Sequence, residues 1–284
     1  MNLSYFFYVK KNFLIFLFVV FLVMPLFSAR TLSDEEQKAI DDLMMFRLNT
    51  TTFPAQGAIV VIDLYDGLFI SKEQVSKISE EVQLIIENYL VIEEYTCLDE
   101  IDPDLPALKT MLETQIKKNE EWFETHKSDE INSWLYCSYS GLISNNLKYL
   151  GWLAKIEQGL LVKEYLEKAL EQNPDMAFAQ MGLAFWYFYA PVISGGSVNT
   201  ALKFYEQAVS NARNDAELFM AEYYLSQCYF HKGKTKEYNA AMDCLRRLLP
   251  ENRKVRLLEK LNNAGYSLFD YQDNRAKIEK KLGF

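Results

Sequence analysis

The sequence predicts an all-α fold: a helical-repeat array (α-solenoid), preceded by extra helices and closed by a capping helix. Three observations lead there. Only 11 Gly and 7 Pro occur among 284 residues, too few for the many turns of an all-β sandwich. Apolar residues recur at helical spacing along most of the chain, the mark of helices with one buried face. The C-terminal half also repeats a pattern of apolar, small and turn residues about every 34 positions, which points to stacked supersecondary units. With 50% apolar and 14% aromatic residues, global disorder is excluded.

Residues 1–29 read as an address rather than as part of the fold. Lys10 and Lys11 precede an apolar run from Phe13 to Phe27, and Ser28 and Ala29 supply small residues before a polar stretch. A basic start, a short apolar run and a small-residue end describe a secretory signal peptide. The apolar segment Tyr5 to Tyr8 lengthens the run, so a retained N-terminal membrane anchor is the alternative. Under either reading the positive charges stay inside and the body is exported, to the periplasm or envelope. No Cys follows the run, so a lipoprotein anchor is not expected.

The body is acidic. The whole chain carries a net charge of −9, and losing Lys10 and Lys11 takes it to −11. Such a surface repels phosphate backbones, so nucleic acid is not an expected partner.

Residues 30–142 form an N-terminal helical region. Ser33 and Glu36 make a capping box ahead of Ile40, Leu43, Met44 and Leu48. The segment from Gly57 to Ile70 is rich in Ile and Val, yet Gln56, Asp63, Asp66 and Gly67 fall on one helical face, which predicts a buried helix. Lys72 to Glu94 and Leu105 to Thr125 read as amphipathic helices, and Asp129 to Ile143 leads into the repeats.

Residues 143–252 carry the repeats, at 143–176, 177–218 and 219–252. Counting Phe219 as position 1, Leu225 stands at 7, Ser226 at 8, Tyr229 at 11, Gly233 at 15 and Pro250 at 32. Tyr238, Met242 and Leu245 stand at 20, 24 and 27. From Ala177, Leu183, Ala184 and Tyr187 take positions 7, 8 and 11, and Ala201, Tyr205 and Ala208 give an Ala-x3-aromatic-x2-Ala second helix. That unit is 42 residues long, lengthened by Ala190-Pro191-Val192-Ile193-Ser194-Gly195-Gly196-Ser197 between its helices. From Ile143, Leu166, Ala169 and Pro174 fit 24, 27 and 32, with a first helix expected over Asn145 to Gln158. Small residues at 8 and 20 let two antiparallel helices approach, and Pro at 32 is expected to start the next helix, where its missing N–H costs nothing. Residues 253–284 then supply a capping helix with Val255, Leu258 and Leu261, a turn at Gly265 and a final helix to Leu282.

This pattern resembles the tetratricopeptide (TPR) family. The Pro and Gly-Gly insertion is similar to exported bacterial TPR proteins, among them the T-component partners of TRAP transporters. The resemblance implies a concave face lined by positions 2, 5, 9, 12 and 13 of each first helix. In one repeat these are Phe178, Met181, Phe185, Phe188 and Tyr189; in the next they are Met220, Tyr223, Gln227, Phe230 and His231. Family members that clamp acidic peptide termini carry Lys, Arg and Asn there. This face is aromatic; it is expected either to be covered by the N-terminal helices or the C-terminal tail, or to stay open as a groove for an apolar ligand or partner helix, since exposed apolar patches of that size mark a contact.

Chemistry-bearing motifs do not accompany the pattern. There is no H-E-x-x-H, G-x-S-x-G, Walker loop or G-x-G-x-x-G. His126 reads as a solvated helix end, and Gly195-Gly196-Ser197 as a loop with a Ser N-cap. Asp99, Glu100, Asp102 and Asp104 read as a solvated acidic turn lacking the Gly and Glu of an EF-hand. Cys97, Cys137, Cys228 and Cys244 contain no Cys-x-x-Cys and read as buried small residues on helices. A Cys228–Cys244 bridge would face roughly 12 Å of axial offset, beyond the roughly 7 Å that a disulfide spans. The expectation is an exported, non-enzymatic scaffold without cofactor or metal that binds a protein partner in its groove. The alternative is an accessory protein holding a small apolar ligand for a TRAP-type transporter.

Overall fold

In the computed structural model of the chain, residues 30–69, 76–127 and 130–283 are described. They form twelve α-helices and no strand. The leader expected at 1–29, and the expected helix starts at Lys72 and Asp129, lie outside the described residues.

Helix α1 (Asp34–Thr50) begins as the sequence predicts. The Ser33 hydroxyl accepts from the Glu36 amide, and the Glu36 carboxylate accepts from the Ser33 amide. Its stripe of Ile40, Leu43, Met44 and Leu48 is fully buried. Helix α2 (Ala55–Phe69) is helical as expected, but its burial is one-sided. Ala58 and Ile62 are buried, whereas Val60 is 58% and Leu64 62% exposed. The helix packs on α3 and also touches α1, where Tyr65 stacks on Phe46 at 4.0 Å.

Helix α3 (Glu80–Ile101) starts later than expected, because the Ser79 side chain caps it by accepting from the Val82 amide. It pairs with α4 (Ala107–Thr125), and both pack on α5 (Ser133–Asn146). Between them Asn88 donates to Asn119 and to Ser138 at 2.8 and 2.9 Å, while Gln115 and Asn119 donate back to its carbonyl oxygen. A buried network satisfied in this way fixes the register of three helices.

The first repeat pair is shifted from its expected place. No helix runs over Asn145 to Gln158. Helix α5 ends at Asn146, a short 3-10 turn covers Leu147–Tyr149, and α6 (Trp152–Gln172) begins after Gly151. The hairpin is therefore α5–α6. Two Asn residues and a Gly interrupt the run where a continuous helix was expected. Leu166 and Ala169 keep their predicted role and are buried on the second helix.

Helices α7 (Ala177–Tyr189) and α8 (Val198–Asn211) form the next hairpin, and α9 (Asp215–His231) and α10 (Thr235–Leu248) the one after. Ala184, Ala201, Tyr205 and Ala208 are all fully buried in one cluster. Each hairpin packs on the next, and α3, α5, α7 and α9 touch in sequence. The prolines act otherwise than expected. Pro174 and Pro250 lie two residues before the N-caps Met176 and Asn252. Each sits second in a turn closed by the cap's amide, donating to Asn173 O at 3.1 Å and Leu249 O at 3.4 Å. Proline suits that position because its φ is already fixed. Glu251 follows Pro250 at φ 58°, as the second type of such turn requires. Helices α11 (Arg253–Asn263) and α12 (Leu268–Leu282), with Gly265 between them at φ 83°, close the chain as predicted.

Candidate functional site

Of the two expectations for the aromatic face, open groove or cover by the chain's own ends, the second holds: the face is largely filled by the chain itself. Helix α1 lies against α9. Its Arg47 donates to Glu93 at 2.7 Å and places its guanidinium over the rings of Tyr89 and Phe178. Phe178 also packs against Trp134, at 5.7 Å between ring centres. Asn252 donates to Thr51 at 2.6 Å, which fixes the far end of α1. From the other side α12 brings Phe269, stacked on Phe188 at 3.8 Å. The Tyr189 hydroxyl donates to Gln272 at 2.8 Å, and burial pushes its pKa up, so it remains a donor.

The other predicted groove residues follow the same rule. Met181 and Tyr223 are buried. Gln227 is fully buried, exchanging hydrogen bonds with Asn262 at 3.1 and 2.9 Å and accepting from the Leu268 amide. Phe230 lies beside Tyr238, 5.4 Å between ring centres, and Met220 packs on the core. His231 edges onto Phe188 at 5.1 Å. These side chains hold the fold's two ends in place.

Two of them also face outward into a different space. Phe185 and Tyr189 line a cavity of about 320 Å³ between α6 and α7. Helix α6 supplies Ile156, Gly159 and Leu160; α7 supplies Gly182, Phe185 and Trp186; the inserted loop supplies Pro191 and Ser194. The cause is a mismatch of length. Helix α6 has 21 residues, against 14 in α5, α8 and α10. Its first turns therefore project, with Trp152 75%, Leu153 56% and Leu160 50% exposed. Close packing of the other half is permitted by Gly182, where an added Cβ would stand 2.7 Å from Leu166. Trp186 is pinned across the cleft by its indole N–H, which donates to Gly159 O at 2.7 Å.

The insertion forms the mouth. The Ser197 amide donates to Tyr187 O at 2.8 Å and the Gly196 amide to Pro191 O at 3.1 Å. Ser197 caps α8 by accepting from the Thr200 amide, as predicted. A Cβ at Gly196 would fall 1.7 Å from Ala190 O, so this turn accepts only glycine. Folding the loop back leaves Val192 87% and Ile193 97% exposed at its tip. The loop was legible as an insertion. The α6 stripe of Trp152, Ile156 and Leu160 was also present in the sequence, at helical spacing, but was hidden by the shifted helix boundary.

The remaining candidates are structural. Asp99 and Glu100 are not a solvated turn: Asp99 pairs with Lys148 at 2.5 Å and Arg275 at 3.3 Å, and Glu100 with Arg253. The C-terminal helices return to this end of α3 and consume those charges. Asp102 and Asp104 are exposed in the turn beyond. His126 ends α4, stacked on Trp122 at 3.8 Å. Cys97, Cys137 and Cys228 are buried on helices, with burial raising each thiol to about 11. Among the described residues no group of three or more His, Cys, Asp or Glu side chains is placed to hold a metal ion. No family model matches the chain, and no curated protein matches it.

Proposed function

We propose that this chain is an exported, non-catalytic TPR-like binding protein that receives an apolar guest in the cleft between α6 and α7. One observation carries the reading: an apolar cavity of about 320 Å³ bordered by side chains that are exposed without a partner in the fold. Ligand sites are concave, mostly apolar and of about 300–1,000 Å³, whereas the aromatic face of the first helices is covered by the chain's own α1 and α12. The TPR-like description is supported by the 34-residue spacing and by the sequential contact of α3, α5, α7 and α9. Export is supported by the apolar run from Phe13 to Phe27 behind Lys10 and Lys11. An accessory role beside a TRAP-type transporter follows from the resemblance of the insertion alone.

A second reading, a scaffold for a protein partner, is favoured by the extent of the apolar rim. Trp152, Leu153, Val192 and Ile193 reach beyond the cavity, as an interface would. Native mass spectrometry of the chain purified from envelope extracts decides between them. A co-purified small apolar species supports the ligand reading. Its absence, together with a protein captured by the wild type and lost in a Trp152→Ser, Ile193→Ser variant, supports the scaffold. Neither species bound would overturn both.

A further inference from the structure

Resting on the apolar-guest reading, we infer that the guest is a single-chain amphiphile with one anionic head, of the long-chain carboxylate class. Its chain lies in the α6–α7 cleft and its head meets Lys155. Lys155 is the one charged side chain that lines the cavity. The neighbouring lysines are committed elsewhere: Lys148 to Asp99, Lys163 to Glu167 and Lys168 to Glu164. The Lys155 ammonium has no such partner among the described residues. In a chain of net charge −9, a free cation at the edge of an apolar wall selects the sign of the head.

Most other polar side chains of the wall are already satisfied, the Ser194 hydroxyl at the mouth being the exception. The Trp186 indole N–H is bonded to Gly159 O, and the Ser144 hydroxyl donates to Ser140 O at 2.8 Å. Ser194 carries no charge, so recognition of the sign of the head falls to Lys155, through a charge-assisted hydrogen bond. The volume of about 320 Å³ sits at the low end of the range for ligand sites, which suits a single acyl chain. Val192 and Ile193, exposed at the mouth, extend the apolar surface for a chain longer than the cavity.

The test is calorimetric titration of the full chain, stripped of bound amphiphiles, with dodecanoate, dodecan-1-ol and dodecyltrimethylammonium. Dodecanoate should bind about tenfold more tightly than the alcohol, and the cationic amphiphile weakest of all. Lys155→Gln should remove the advantage of the carboxylate and leave the alcohol unchanged, and Lys155→Arg should restore it. Equal binding of all three heads overturns the inference while leaving the apolar-guest reading intact. No binding of any of them to the wild type overturns both, as does binding that Gly159→Leu leaves unchanged.

Discussion

Gly159→Leu separates folding from binding. Gly159 sits in the interior of α6, and a Cβ added there meets no atom within 4 Å. Gly159 lines the cavity, and its carbonyl bond to Trp186 is untouched by the change. Glycine inside a helix costs about 0.5–1 kcal/mol relative to a good helix former. The variant should therefore be more stable by that amount, raising Tm by about 1–4 °C for a chain of this size. The four added carbons take the place of about four methylenes of any guest. At about 0.8 kcal/mol each, that removes about 3 kcal/mol of binding, on the order of 100-fold in Kd. The assay is a thermal melt paired with calorimetric titration of dodecanoate. A stabilised variant that binds as tightly as the wild type would refute the placement of the guest in the cleft. A destabilised variant would refute the open geometry at Gly159.

Three further outcomes test how the site is held. Arg47→Ala should cost about 3–5 kcal/mol in denaturant unfolding, because it strands the buried Glu93 carboxylate; replacing both by apolar residues should recover most of the loss. Gly196→Ala should cost about 1–3 kcal/mol, since Ala190 O must move, and limited proteolysis should show cleavage at 190–197 before any other site. Burial opposes the charge on Glu36, but hydrogen bonds from the Ser79 hydroxyl and the Ser33 and Ser79 amides, with Arg30 beside it, outweigh burial and hold its pKa at about 2. A depressed carboxylate pKa stabilises the fold above its unfolded value and loses that contribution as pH falls. Glu36→Gln should thus be about 2–3 kcal/mol less stable at neutral pH, with the gap closing between about pH 4.5 and 2; a gap that persists at pH 2 counts against the account.

Local rules carried much of the fold. Ser33 with Glu36, Gly265 and the Ala201, Tyr205, Ala208 series each specify structure within a few residues, and each lies where its spacing indicates. The boundaries that differed depend on competing local signals. Ser79 outcompetes the polar stretch before it as the start of α3, and Gly151 divides what apolar spacing alone would join. That the chain's own ends could cover the aromatic face was legible, but which residues do so was not. The cover rests on Arg47 over Phe178 and Phe269 on Phe188, pairs separated by most of a domain in sequence. Periodicity reports that a face is apolar, not what covers it. Phe185 and Tyr189 were found because they are apolar at first-helix positions. Lys155, Ile156 and Gly159 were missed because their helix was assigned to the wrong half of a hairpin.

The most direct measurement of the central claim is hydrogen–deuterium exchange of the full chain with and without dodecanoate. The account predicts slowed exchange in 152–161 and in 185–197, the two walls and the mouth of the cleft, with no change in α1 or α9. Protection centred on α1 and α9, near Phe178 and Tyr223, would place the guest on the aromatic first-helix face and contradict it.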